Sequence, residues 1–186
     1  MDWYEGWLER RRVEGAGALP ALLLIAAGVA ILVWLAWRLM PGHSSFTGRN
    51  LAALTLVDAD GGRHTLAEYQ GKVLVVDFWA TWCPPCRMSL PELAALQAKQ
   101  GDDYAVLPVS VDQRGFSDVT PFFQQNPQLH IDAMVPADPS ALEAQVGRIE
   151  GIPTTLLVGR DGKVREALVG YSPGRLEREL RAALGQ

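Results

Sequence analysis

Cysteine is scarce in this sequence: two residues in 186 exclude a disulfide-dense secreted scaffold. A basic excess is missing too. Seventeen Lys and Arg against twenty-one Asp and Glu give a net charge of −4, with no basic stripe, so nucleic acid is not an expected partner. The three histidines, His43, His64 and His130, lack ligand spacing, and no second Cys-x-x-Cys completes a zinc site, so no metal is expected. No glycine-rich fingerprint follows a strand, so neither a nicotinamide nor a flavin is expected, and no cofactor is assigned. Internal repeats and low-complexity tracts are absent, and 48% hydrophobic residues exclude a disordered chain.

The hydrophobic content is unevenly spread. From Gly15 to Trp37 run 23 residues without a charge, most of them Leu, Ile, Val or Ala. About 20 apolar residues in a helix rise roughly 30 Å, enough to cross a bilayer's hydrocarbon core. Pro20 sits near the start, where a missing N–H costs little, and Trp34, Trp37 and Arg38 suit the far interface. A cleaved signal peptide would have a shorter apolar core, and Gly42-His43-Ser44 matches a cleavage site poorly. The expected organisation is a cytoplasmic tail over 1–14, a transmembrane anchor over 15–40, a linker over 41–49, whose alternative is a first loop of the folded domain, and a soluble domain over 50–186. The basic bias placing the N-terminus in the cytoplasm is slight: Arg10 to Arg12 before the span, Arg38 and Arg49 after it.

Within the soluble part, Leu51 to Val57 and Arg63 to Leu66 read as a hairpin around Asp60-Gly61-Gly62. Lys72 to Trp79 (KVLVVDFW) and Tyr104 to Val111 read as buried strands. The intervening helix begins within Pro84 to Met88 and runs to about Gln100. In the polar stretch 112–132, Pro121 marks a helix start and Pro127 its stop. Ala133 to Ala137 is a short strand, followed by a helix over Pro139 to Val146 opened by Asp138. Thr154 to Val158 and Lys163 to Val169 are joined by Arg160-Asp161-Gly162. Ser172-Pro173 then caps a final helix bearing Leu176, Leu180 and Leu184. The predicted class is α/β, a mixed sheet with helices on both faces and an N-terminal β-hairpin.

The chemistry centres on Trp82-Cys83-Pro84-Pro85-Cys86, between a buried strand and a helix start. Thiols at i and i+3 in a first helical turn can form a disulfide, and the helix dipole there stabilises a thiolate at Cys83. Cys83 is therefore the expected nucleophile, and Cys86, one turn deeper, the resolving thiol. Pro84 and Pro85 offer no N–H to the sulfur, so the Cys86 amide carries more of that task. Asp77, inside Val-Val-Asp-Phe-Trp, is expected to be buried, with a raised pKa suited to exchanging protons with the thiols. A satisfied structural carboxylate is its alternative.

VVDFWATWCPPC, Pro91 five residues after Cys86, and GIPTT at 151–155 resemble a thioredoxin-fold disulfide oxidoreductase. The apolar tether, the hairpin and the segment at 112–132 are similar to the membrane-anchored TlpA/ResA/CcmG branch. The resemblance implies that Pro153 is a cis-proline facing the disulfide, that Trp79 and Trp82 shape the surface around Cys83, with core packing a compatible reading for Trp79, and that Pro91 kinks the helix. It implies substrate contacts from Trp82, Pro84, Pro85, Ile152 and Thr154. It further implies cysteine-containing protein substrates, such as an apocytochrome or a copper-site protein, a membrane electron donor, and a place in the bacterial inner membrane with the catalytic domain periplasmic. Two positions depart from that branch: Asp77 stands where many members have Asn, and Ser89 stands where they have Glu. The Lys that thioredoxins pair with the buried Asp is replaced by Pro108. Reduction is the expected direction. A disulfide-donating oxidase and a Cu(I)-binding dithiol carrier are the alternatives, the latter poorly served by four methionines. Arg87 beside Cys86 either favours the thiolate or is a solvated helix residue, and a helix near 119–125 either shapes a partner surface or covers the sheet.

Overall fold

The computed structural model describes residue 23, residues 25–32, residue 34 and residues 46–185. The chain divides into two units, Met1–Gly42 and His43–Gln186. In the first, residues 25–32 are helical, and Ile25, Val29, Ile31 and Leu32 are exposed. No helix among the described residues is long and apolar enough to cross a membrane. The expected cytoplasmic tail and much of the expected anchor lie outside the described residues.

In the second unit, the run Val73–Trp79 forms β3, every residue of which is buried. Six β-branched, aliphatic and aromatic positions, interrupted only by Asp77, suit a strand covered on both faces. It pairs in parallel with β4 (Tyr104–Ser110) and antiparallel with β6 (Thr154–Val158), which pairs antiparallel with β7 (Val164–Val169). The resulting order is β4-β3-β6-β7. Strand alternation sorts β3 into two faces: Leu74, Val76 and Phe78 join one core cluster, while Val73, Val75 and Trp79 join the other. Asp77 therefore points to the second face, the one covered by α1 (Pro84–Gln97) and α4 (Arg175–Leu184).

Helix α1 buries Cys86, Ser89, Leu90, Leu93 and Leu96, a helical stripe set against the sheet. It continues through Pro91, which has no N–H to give to the preceding turn. Helix α4 buries Leu176 and Leu180 at four-residue spacing.

The order of elements matches the predicted one, with several corrections. The hairpin strands β1 (Thr55–Val57) and β2 (Arg63–Thr65) join β5 (Val135–Pro136) in a separate three-stranded sheet. A parallel bridge, Val109 to Met134, links that sheet's β5 segment to β4. Leu51 to Leu54 is a turn closed by the Leu54 amide on Leu51 O, not part of β1. Helix α2 (Phe116–Gln125) starts five residues before Pro121, at Gly115, whose positive φ of 54° suits glycine. Burial of Val119 and packing of Phe122 and Phe123 on the second cluster hold this helix together through the proline.

Asp138 caps a turn, accepting from the Ser140 and Ala141 amides, and the regular helix α3 is only Leu142–Val146. The last helix begins at Gly174 with φ 69°, not at the Ser172 hydroxyl. The expected linker is also too long. Phe46 is buried in the core, and the Gly48 amide donates to Val164 O, so the folded unit starts before residue 50.

Candidate active site

Cys83 is the N-cap of α1, with Pro84 and Pro85 at its first two positions. It is disulfide-bonded to Cys86. With both prolines lacking an N–H, the free amide that reaches the sulfur is that of Cys86, which donates to Cys83 Sγ at 3.3 Å. Cys86 is fully buried, and Cys83 is only 3% exposed. Attack from outside can thus reach the site only at Cys83, and only over a small aperture.

The loop before β6 covers the disulfide. Its Ile152–Pro153 bond is cis, as the resemblance implies. Ile152 O lies 3.7 Å from Cys83 Sγ, within reach of a thiol hydrogen once the disulfide is reduced. Thr154, an expected substrate contact, is 1% exposed, and its hydroxyl donates to Gly151 O at 2.6 Å. It braces the loop from within. Ile152 is half-buried, while Pro84 and Pro85 are exposed beside the disulfide.

The two tryptophans separate. Trp82 is 67% exposed next to Cys83. Trp79 is fully buried and stacks at a tilt on Phe122 and Phe123, with centroids 5.6 and 5.7 Å away, so it does not shape the surface. Through that packing, the aromatic pair of α2 covers this face of the core. Arg87 is exposed, and its guanidinium lies 5.5 Å above the Phe122 ring, a cation–π contact.

Asp77 is 1% exposed. Its Oδ1 accepts from the Thr155 hydroxyl at 2.5 Å, across the β3–β6 pair, while Oδ2 has no partner in the protein. Burial pushes its pKa up to about 7, with the Thr155 hydrogen bond pulling the other way. Pro108 stands opposite Asp77 in the β3–β4 register, so that strand position offers the carboxylate no cation. Ser89, one turn after Cys86, is buried and donates to Cys86 O at 2.8 Å.

Asp112 is the residue that sequence reasoning missed. Its carboxylate accepts from the Thr81 amide at 2.9 Å, the Thr81 hydroxyl at 2.7 Å and the Ser110 hydroxyl at 2.8 Å. This ties the loop leading into Cys83 to the end of β4. The only local signal was Ser110-x-Asp112 at a strand end, a pattern common in turns. Among the histidines, His130 is exposed, and half-buried His64 is held by Asp58 at 2.7 Å. His43 lies outside the described residues. No group of three metal-binding side chains occurs among the described residues.

The Redoxin family model matches residues 43–184. Thiol-disulfide oxidoreductase ResA of Bacillus subtilis is 28% identical over 163 residues, covering 87% of each chain. The ResA of Geobacillus kaustophilus is 29% identical, covering 66% of this chain and 69% of its own. Among solved structures, a Chlorobium tepidum protein assigned as thiol:disulfide interchange protein DsbE is 32% identical. That match covers 75% of this chain and 98% of its own, with a TM-score of 0.63. The exposed lipoprotein thioredoxin Etrx1 of Streptococcus pneumoniae is 26% identical over 69% of this chain and 97% of its own, with a TM-score of 0.59.

Proposed function

This chain belongs to the Redoxin family and is a thioredoxin-fold thiol-disulfide oxidoreductase of the TlpA/ResA/CcmG kind; from that premise we propose that it is a membrane-anchored, extracytoplasmic reductase of protein disulfides. The observation that carries the reading is the Cys83–Cys86 disulfide at the start of α1, with the Cys86 amide directed at Cys83 Sγ. Cysteine-containing proteins are the substrates, and proteins whose cytochrome or copper-site thiols must be kept reduced are the class favoured here.

In the cycle proposed, the Cys83 thiolate attacks one sulfur of a substrate disulfide. The substrate S–S bond breaks, a mixed disulfide forms at Cys83, and the departing substrate thiolate takes up a proton. Cys86 then gives its proton to Asp77, and its thiolate attacks Cys83 Sγ. The second substrate thiolate leaves and is protonated. Two electrons have passed to the substrate, whose two thiolates take their protons from solvent, and Cys83–Cys86 is again a disulfide. A membrane donor must return the two electrons. Trp82, Pro84, Pro85 and the Ile152–Pro153 loop form the substrate-facing rim.

The anchor is proposed from the uncharged run Gly15 to Trp37, and the exposure of Ile25, Val29, Ile31 and Leu32 is consistent with it. The location proposed is the bacterial inner membrane, N-terminus in the cytoplasm and catalytic domain outside it.

The test is thiol trapping in the protein's own cells: acid quench, then alkylation with a mass-shifting reagent. A steady state with Cys83 and Cys86 mostly reduced is expected. A mostly oxidised pair that stays oxidised when membrane electron supply is raised would replace the reductase with a disulfide-donating oxidase.

A further inference from the structure

Among the described residues, three buried side-chain atoms have no partner in the protein: Asp77 Oδ2, Trp79 Nε1 and Glu92 Oε1. Two of these belong to carboxylates that line one cavity of about 20 Å³ between β3, α1 and the entry to α4. That volume holds a water molecule. Its walls include Ser89, Pro153 and Thr155 on the disulfide side, and Tyr171 and Arg175 on the other. Buried polar atoms are rarely left unsatisfied in a native fold, and two acids sharing one small polar cavity call for a common explanation.

Glu92 lies on α1 one turn beyond Ser89, and its second oxygen accepts from the Gly174 amide at 3.4 Å. It is half-buried, so the cavity has a deep end at Asp77 and a shallow end at Glu92. Arg175, the cation on the cavity wall, has its guanidinium 4.0 Å from Glu166, on β7.

We infer that Glu92 is a second proton-exchange residue, passing protons between Asp77 and solvent through the water-sized cavity the two carboxylates share. This rests on the proton role proposed for Asp77. The Cys86 thiol proton moves to Asp77, which becomes a carboxylic acid. Water in the cavity carries a proton from it to Glu92 Oε1, and Glu92 releases it to solvent. Asp77 is then ionised again for the next turnover. Glu92 touches no reacting sulfur and acts only through Asp77.

The experiment measures multiple-turnover reduction of insulin disulfides by the full-length protein in detergent, at saturating dithiothreitol and net of the uncatalysed reaction, across roughly pH 5 to 9. Four proteins are compared: wild type, D77N, E92Q and the double variant. The limb of the profile that D77N removes belongs to Asp77. In E92Q the turnover rate on that limb is expected to fall several-fold, because the proton leaves Asp77 more slowly. In the D77N background, E92Q is expected to change neither rate nor profile. An E92Q rate on that limb equal to wild type overturns the inference, and so does equal slowing in both backgrounds, which would mark Glu92 as structural. A profile unaffected by D77N overturns the reading of Asp77 itself, and the inference with it. Should E92Q fold poorly, the infrared band of the protonated Asp77 carboxyl, identified by its loss in D77N, is followed in Glu92→Ala instead. A band that decays after each turnover as fast as in wild type overturns the inference there too.

Discussion

Thr81 and Asp112, 31 residues apart, are joined twice: amide to Oδ2 at 2.9 Å and hydroxyl to Oδ1 at 2.7 Å. Asp112 is 7% exposed and takes a third hydrogen bond from the fully buried Ser110. Asp112→Ala would leave the Thr81 amide and the Ser110 hydroxyl without their acceptor. We expect a loss of about 2–4 kcal/mol in guanidinium unfolding, because hydrogen bonds to a charged group are stronger than neutral ones. Disulfide exchange should slow with it, since the freed loop carries Trp82 and Cys83. A variant within about 0.5 kcal/mol of wild type would show that the clasp contributes little.

Asp77 should leave a mark on stability as well as on rate. Its folded pKa is about 7 against an ordinary 3.8, so between those values the folded state holds a proton that the unfolded state has lost. Stability therefore falls as pH rises through that window and levels off above it. The full decline is at most about 4 kcal/mol. Asp77→Asn should remove this part of the slope and leave the variant more stable than wild type at pH 8. Unfolding curves between about pH 4 and pH 8 check it, and parallel slopes for the two proteins would contradict it.

The tryptophans give opposite expectations. Trp79→Ala empties a fully buried site against Phe122 and Phe123 and should cost about 3–5 kcal/mol. Trp82→Ala removes an exposed ring and should change stability by less than about 0.5 kcal/mol. Its effect should appear as a several-fold rise in KM for a protein disulfide, with little change toward a small disulfide such as oxidised glutathione. Equal losses on both substrates would place Trp82 in the chemistry and not in the recognition.

Much of this was legible in the sequence because it is local. Val73–Trp79 declares a buried strand by composition, and Cys83 followed by two prolines declares a helix start. Asp77 was legible because one acid interrupts an apolar strand. What escaped depends on contacts distant in sequence. Helix α2 runs through Pro121 because Phe122 and Phe123 find Trp79, more than 40 positions earlier. Asp112 reads as a turn residue until the fold brings Thr81 to it. Thr154 follows Pro153 in the motif, yet strand β6 turns its hydroxyl inward. Glu92 carries no local signal: its role comes from a buried oxygen on the cavity that Asp77 also lines.

The central claim is that Cys83 meets the substrate and Cys86 resolves it. The measurement that tests it most directly is mass spectrometry of the full-length Cys86→Ser protein after reaction with a protein disulfide. The variant should accumulate a one-to-one mixed disulfide located at Cys83, and Cys83→Ser should form none. A mixed disulfide at Cys86 in the Cys83→Ser protein, formed as fast as the one at Cys83, would contradict the account.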